Sequence, residues 1–282
     1  MKSFIKKSIQ STCKLVVQFT GKTRLGRYCL DQLLCAAREH FLVVIHNGTR
    51  LSFAAPNALC CWRADTFSTK EPETLEWIDA MPKGSVLWDV GANVGLYTVY
   101  AAKKRMCQVW AFEPSVFNLE LLARNIFLND LTKQVCIVPM ALSDKLASSQ
   151  LRMTTTDWGG ALSTFDKTFG WDGKSIRQVF EFQTLGLSMN DAVERLCIPK
   201  PEFIKMDVDG IEHLILSGGA NILKSVREVL IEVNDDFTEQ ASQINKLLTE
   251  SGLVLKTKRH SDIIASSTTG FANCFDQIWV RT

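Results

Sequence analysis

No apolar run in the 282-residue chain approaches the about 18 residues of a membrane span, so no transmembrane helix is expected. C-x-x-C pairs are absent as well. The nine cysteines, an odd number with Cys60 and Cys61 adjacent, fit neither a disulfide framework nor a zinc-site spacing. Cys107, Cys136 and Cys197 lie in apolar runs, where a thiol packs as a small core residue. That usage points to a reducing, cytoplasmic setting. The N-terminus carries Lys2, Lys6 and Lys7, but no small-residue cleavage site follows the short apolar stretch at 13–19, so secretion is not expected. The chain has no internal repeat, no low-complexity linker and no basic stripe interleaved with aromatics of the kind that binds nucleic acid. An excess of either charge is also lacking, the formal net charge being +2.

What is present is the composition of an ordinary soluble globule, 46% hydrophobic and 22% charged, at a length that holds one large α/β domain or two small ones. The charge is unevenly placed. Residues 1–50 carry nine Lys and Arg against Asp31 and Glu39, about +7, leaving about −5 for the remainder. Such an end suits phosphates or an anionic membrane surface, or is a solvated tail. Residues 1–40 read as one or two helices, with Phe4, Ile5, Ile9, Leu15 and Val16 in an apolar stripe opposite the lysines. A stripe of this kind packs on the domain or lies on a membrane. Gly21-Lys22-Thr23 is not a P-loop, because Val16 stands where the earlier glycine belongs. An Asn47-Gly48 turn between two β-rich runs predicts a hairpin over 41–53, and Pro72 opens a helix that Pro82-Lys83-Gly84 stops.

The organising stretch is 86–113, VLWDVGANVGLYTVYAAKKRMCQVWAFE. An apolar strand ends at Asp89, a turn follows with Gly91 and Gly95, then a helix to about Lys104, then a second strand ending on Glu113. Glycines let the backbone turn sharply and let a ligand approach. The helix opening near Asn93 offers unpaired N–H groups, and Glu113 lies about 20 residues on, where a carboxylate can accept from ribose hydroxyls. The dinucleotide pattern G-x-G-x-x-G is not met, since Asn93 takes the middle glycine's place; a cofactor without a pyrophosphate fits better. Further strands are read at 135–138, 203–206 and 229–231. Asp89, Glu113, Asp207, Asp209, Glu232 and Asn234 then stand as polar groups at one sheet edge, where open α/β sheets bind ligands. Residues 145–185 interrupt the rhythm with two Trp-plus-Gly turns at Trp158 and Trp171, read as a substrate-facing flap or as hairpins capped by buried Trp. His46 beside its turn and His213 on a helix surface are read as bystanders.

Three ordered blocks, Asp89-Val90-Gly91-Ala92-Asn93-Val94-Gly95, Phe112-Glu113-Pro114 and Ile204-Lys205-Met206-Asp207-Val208-Asp209-Gly210, resemble those of the FkbM-type S-adenosylmethionine-dependent methyltransferases. The likeness runs over roughly 73–232. Asp209 departs from the pattern, where the family more often has Glu, and leaves the charge unchanged. The resemblance implies a doubly wound, mostly parallel α/β sheet of the class I methyltransferase type with an antiparallel last strand. Residues 1–80 would be an N-terminal helical and hairpin extension, and 81–282 the Rossmann-like domain with an insertion near 145–185. It implies S-adenosylmethionine bound by Asp89, Gly91, Asn93, Gly95 and Glu113, with Ala141 and Leu142 along the adenine. Asp207 would be the general base with Asp209 beside it, and the acceptor a hydroxyl of a sugar, polysaccharide or small metabolite. Asp207 could instead bind the cofactor's amino group, or pair with Asn234 or Asp235 around Mg²⁺; no metal is assigned. A NAD-dependent oxidoreductase on a similar scaffold and a non-catalytic cofactor-binding protein are the competing readings.

Overall fold

A computed structural model describes residues 2–260, 265 and 270–282. The side chains of Lys2, Ser3, Phe4 and Lys6 lie outside the described residues. The chain opens with two helices, α1 (Lys2–Thr20) and α2 (Arg24–Glu39), and a hairpin of β1 (Phe41–His46) and β2 (Thr49–Ala54). Its turn is the one that Asn-Gly favours, with φ of 45° at Asn47 and 75° at Gly48, matching the twist of paired strands. Three short helices follow, α3 (Ala58–Asp65), α4 (Phe67–Lys70) and α5 (Pro72–Ala80), the last with its proline at the first turn. The body then alternates: β3 (Val86–Val90), α6 (Leu96–Arg105), β4 (Gln108–Phe112), α7 (Val116–Leu128) and β5 (Val135–Val138). The insertion comprises β6 (Ala141–Leu142), β7 (Ala147–Met153), β8 (Thr164–Phe165) and β9 (Phe180–Leu187). After it come α8 (Met189–Leu196), β10 (Phe203–Met206), α9 (Glu212–Ser217), α10 (Ala220–Leu223), β11 (Glu228–Asn234), α11 (Thr238–Glu250), β12 (Leu253–Arg259) and β13 (Cys274–Arg281).

Seven strands form one sheet in the order β12-β13-β11-β10-β3-β4-β5. Only β13 runs antiparallel, wedged between β11 and β12. The strand order reverses between β3 and β10, which lie side by side, so the carboxyl ends of these two strands frame the switch-point crevice. Successive strand residues face opposite layers: Trp88, Ile204 and Ile231 enter one core, and Leu87, Phe203 and Leu230 the other. Both faces are covered, as a parallel sheet requires. The second core also takes in Leu51, Phe53, Phe67, Leu75, Trp77 and Ile78, so residues 51–78 share a core with the sheet rather than standing apart from it.

The insertion is more regular than its polar sequence suggests. It folds as a second, four-stranded sheet in the order β6-β9-β7-β8, and Leu151, Met153 and Phe165 join the first core. Cys197 departs from the expectation of a core thiol: it ends α8 in the left-handed region at φ 54° and is exposed. α1 and α2 depart further. Their apolar side chains lie exposed instead of packing on the domain. No helix among the described residues is long and apolar enough to cross a membrane.

Candidate active site

The loop between β3 and α6 takes its shape from three left-handed residues, Gly91 at φ 80°, Asn93 at 51° and Gly95 at 81°. Gly91 is where this loop presses on the tip of β10. A Cβ there would sit 1.8 Å from the Asp207 carbonyl oxygen. The missing side chain therefore admits a neighbouring strand, not first of all a ligand, although Gly91 does line the crevice. Gly95 caps α6 against α7, where a Cβ would lie 2.3 Å from Leu122 Cδ1, and it does not line the crevice. Asp89 is likewise beneath the site. It is 1% exposed, accepts from the Thr98 hydroxyl, and stands in register with Lys205 of the adjacent strand. Its Oδ1 has no hydrogen-bond partner among the described residues. Burial raises its pKa against the opposing pull of Lys205.

Glu113, just past β4, faces the crevice and is tied to both sides of it. It accepts from the Asn93 N–H and from the Ser115 N–H, each at 2.8 Å. Burial pushes its carboxyl up to about 7, the two N–H groups pulling the other way. Ala141 and Leu142 form an apolar wall with Phe112 and Met140. Across them lies the chain at 159–162, pinned by the same polar groups that face the crevice. Asn93 Nδ2 and Asn118 Nδ2 donate to the Gly160 carbonyl at 2.8 and 3.1 Å. The Gly159 N–H donates to Asn118 Oδ1 at 3.1 Å, and the Leu162 N–H to Asp209 Oδ2 at 2.7 Å. This end of the crevice is consequently narrow, about 60 Å³, well below the roughly 300–1,000 Å³ of ligand sites. Its donors and acceptors suit a nucleoside: a carboxylate for a vicinal diol, side-chain amides, and a flat apolar wall.

The other end is wide, about 420 Å³. Gly91, Asn93, Ala161, Asp207 and Asp209 line both ends, so the two are one crevice with the β10 acids at the junction. Trp62 and Arg63 from α3, Lys70 and Glu71, and Tyr97 of α6 form its far wall, with Glu232 of β11 and Phe271. The floor is a buried charge network. Lys205, 3% exposed, holds Nζ 3.4 Å from Asp207 Oδ2 and 5.2 Å from the Tyr97 ring centre. Burial alone would lower its pKa, but Asp207, Asp89 and Glu71 raise it above the ordinary lysine value. Lys70 and Glu71 pair; against the burial that opposes ionisation, Lys70 and Lys205 hold the Glu71 carboxyl low. Glu232 stands directly opposite Asp276 of β13, and burial, then surrounding negative charge, raises both. Asp209 occupies the left-handed region at φ 63°, its carboxyl raised by burial and then by Asp207. Glu212 shapes this turn, accepting from the Val208 and Gly210 N–H groups, each at 3.1 Å.

Of the residues expected from sequence, Gly91, Asn93, Glu113, Ala141, Leu142, Asp207 and Asp209 are brought together along the crevice, while Asp89 and Gly95 support it from behind. Asn234 donates to the Trp171 carbonyl and Asp235 pairs with Lys258 at 2.6 Å. Trp171 stacks on Phe271, ring centres 4.1 Å apart. His213 is buried beside Phe237, not on a surface, and lies off the crevice. Trp62, Arg63, Lys70, Tyr97 and Asn118 were not singled out by sequence. Lys205 carried the one available signal, a lysine inside an otherwise apolar strand.

A hexuronic acid methyltransferase, AglP, of Haloferax volcanii is 25% identical over 227 residues, covering 77% of this chain and 85% of that protein. Among solved structures, an FkbM methyltransferase from Methylobacillus flagellatus aligns over 78% of this chain and 51% of its own at 14% identity and a TM-score of 0.49. A precorrin-6y C5,15-methyltransferase from Geobacter metallireducens aligns over 75% and 87% at 10% identity and a TM-score of 0.44. Residues 89–255 match the methyltransferase FkbM domain. That match starts at the acid of the first central strand and spans more than half of the chain, and on it the protein is placed among the FkbM methyltransferases.

Proposed function

We propose that the narrow end of the crevice takes the nucleoside of S-adenosylmethionine and that the wide end presents a saccharide hydroxyl to its methyl group. The observation that carries this reading is the position of Asp207 and Asp209, which line both ends at their junction. A methyl group passing between cofactor and acceptor would cross there. Glu113 would accept from the ribose hydroxyls, Ala141 and Leu142 would cover the adenine, and Gly91 and Asn93 would flank the amino-acid end. S-adenosylmethionine, when bound, supplies an electrophilic methyl carbon on a sulfonium that departs as a neutral thioether. Asp207 would take the hydroxyl proton as the new O–C bond forms, with Lys205 steadying the carboxylate from 3.4 Å. A general base of this kind is worth about 10²–10⁴-fold in rate.

Two features support a sugar as the acceptor. The wide end sets the half-exposed Trp62 and Phe271 beside carboxylates, an apolar ring face next to acceptors for hydroxyl protons. AglP, a relative over most of its length, is named for methylating a hexuronic acid. We place the reaction in a reducing compartment, in keeping with nine unpaired thiols. The test is methyl transfer from labelled S-adenosylmethionine to hexose and hexuronate acceptors, followed by mass spectrometry. Asp207→Ala should lose about 10²–10⁴-fold in turnover and retain affinity for S-adenosylhomocysteine. Full turnover in that variant would remove Asp207 from the chemistry, and no labelled sugar with any acceptor would remove the saccharide.

A further inference from the structure

We propose that α1 and α2 seat the protein on an anionic lipid surface. At about 100° per residue, Ile5, Ile9, Val16 and Phe19 fall on one face of α1, with Lys7 and Lys14 on the opposite side. In α2, Leu25, Cys29, Leu33 and Ala36 share a face, and Arg24, Arg27 and Arg38 take the other. Faces of this kind are ordinarily buried. Here they are open: Ile9 is 58% exposed, Phe19 66%, Leu25 72% and Leu33 67%. More than half of the exposed large apolar side chains among the described residues lie before residue 46. The body offers no cover. α2 is moored at its C-terminal end, by Arg38 to Glu120 at 2.8 Å and by the His40 ring to the Ala55 carbonyl. The elbow between the helices is packed: Thr23 caps α2, and a Cβ on Gly26 would lie 1.8 Å from the Thr20 carbonyl oxygen.

Charge selects the occupant. The two helices and their elbow, residues 2–39, hold eight Lys and Arg against two acids, Asp31 and Glu39. Two copies of this basic end repel one another overall, whereas an anionic surface complements its charge. An amphipathic pair with basic polar faces and no spanning length is the pattern of an interfacial helix, which lies in the headgroup plane with its apolar side down. The inference stands apart from the identity of the methyl acceptor.

The test is cosedimentation of the full chain with phosphatidylcholine vesicles, with and without phosphatidylglycerol. Binding should require the anionic lipid and fall as salt screens the attraction. Lys7→Gln with Lys14→Gln should lower the partition coefficient by roughly 30-fold, at about a fivefold loss per basic residue. Ile9→Ser with Val16→Ser should abolish binding and leave the melting temperature in place, since both side chains are exposed. Equal binding to neutral vesicles, or no binding to anionic ones, would overturn the proposal. So would a dimer in sedimentation velocity that Ile9→Ser with Val16→Ser dissolves, because the faces would then belong to a second copy.

Discussion

Beyond the Asp207 and Asp209 junction that the two ends share, the narrow end of the crevice adds side-chain amides and one further acid, Glu113, whereas the wide end adds ion pairs. At the first, Asn93 and Asn118 hold the Gly160 carbonyl, and Glu113 is spanned by two backbone N–H groups. At the second, Lys70 faces Glu71, and Lys205 faces Asp207 over a floor of further acids. The two ends differ in what holds their walls in place. The segment at 159–162 is held by side-chain amide bonds worth about 0.5–1.5 kcal/mol net each, and more firmly by the Arg63 guanidinium, which donates twice to the Gly159 carbonyl, a charged bond worth about 1.5–3 kcal/mol. A buried ion-pair network is costly to rearrange, so the wide end is the more strongly fixed of the two.

The largest expected effect breaks the wide end. Lys205→Met leaves Asp89, Asp207 and Glu71 without their shared cation and should cost about 3–5 kcal/mol in urea unfolding. The loss should shrink at low pH as Asp89 and then Glu71, which Lys70 and Lys205 hold low, protonate. A variant as stable as wild type at neutral pH would mean that the network carries little. The next effect comes from Glu113, whose folded pKa of about 7 lies above the ordinary 4.5. The folded state keeps this proton longer than the unfolded chain. Its contribution is therefore complete below pH 4.5 and lost as pH rises to about 7, a change on the order of 3 kcal/mol. Wild type should lose stability relative to Glu113→Gln across that window, and a constant difference would contradict the assigned environment. The smallest effect sharpens the contrast from the ligand side. Glu113→Ala should weaken S-adenosylhomocysteine binding by calorimetry about 10–100-fold, the worth of hydrogen bonds to a charged group. Unchanged affinity would place the ribose elsewhere.

Much of the narrow end was legible because its parts are short-range. Glu113 follows from the βαβ rhythm, and the hairpin at Asn47-Gly48 from turn chemistry that needs only adjacent residues. Ala141 and Leu142, at the start of the insertion, were reached through resemblance and lie on the crevice wall. The wide end was not legible. Trp62, Lys70 and Tyr97 are far from β10 in sequence, and nothing local marks them as neighbours of Asp207. The sequence marks Gly91 as a turn residue, and in the fold a Cβ there would meet the Asp207 carbonyl across the strand pair. Asp89 and His213 show the same limit: side-chain chemistry is written in the residue type, but whether it meets a ligand or a core depends on what packs above it.

What the amino-acid order determined unaided was the alternation of strands and helices, the turns, and the acids at the strand tips, because hydrophobic period and backbone preference act over a few residues. What only the tertiary structure decided was which of those acids share a lysine, which glycine serves packing, and that the first two helices keep their apolar faces uncovered. Those outcomes rest on electrostatics and packing between segments far apart in the chain, and their energies exist only once the fold has brought the segments into contact.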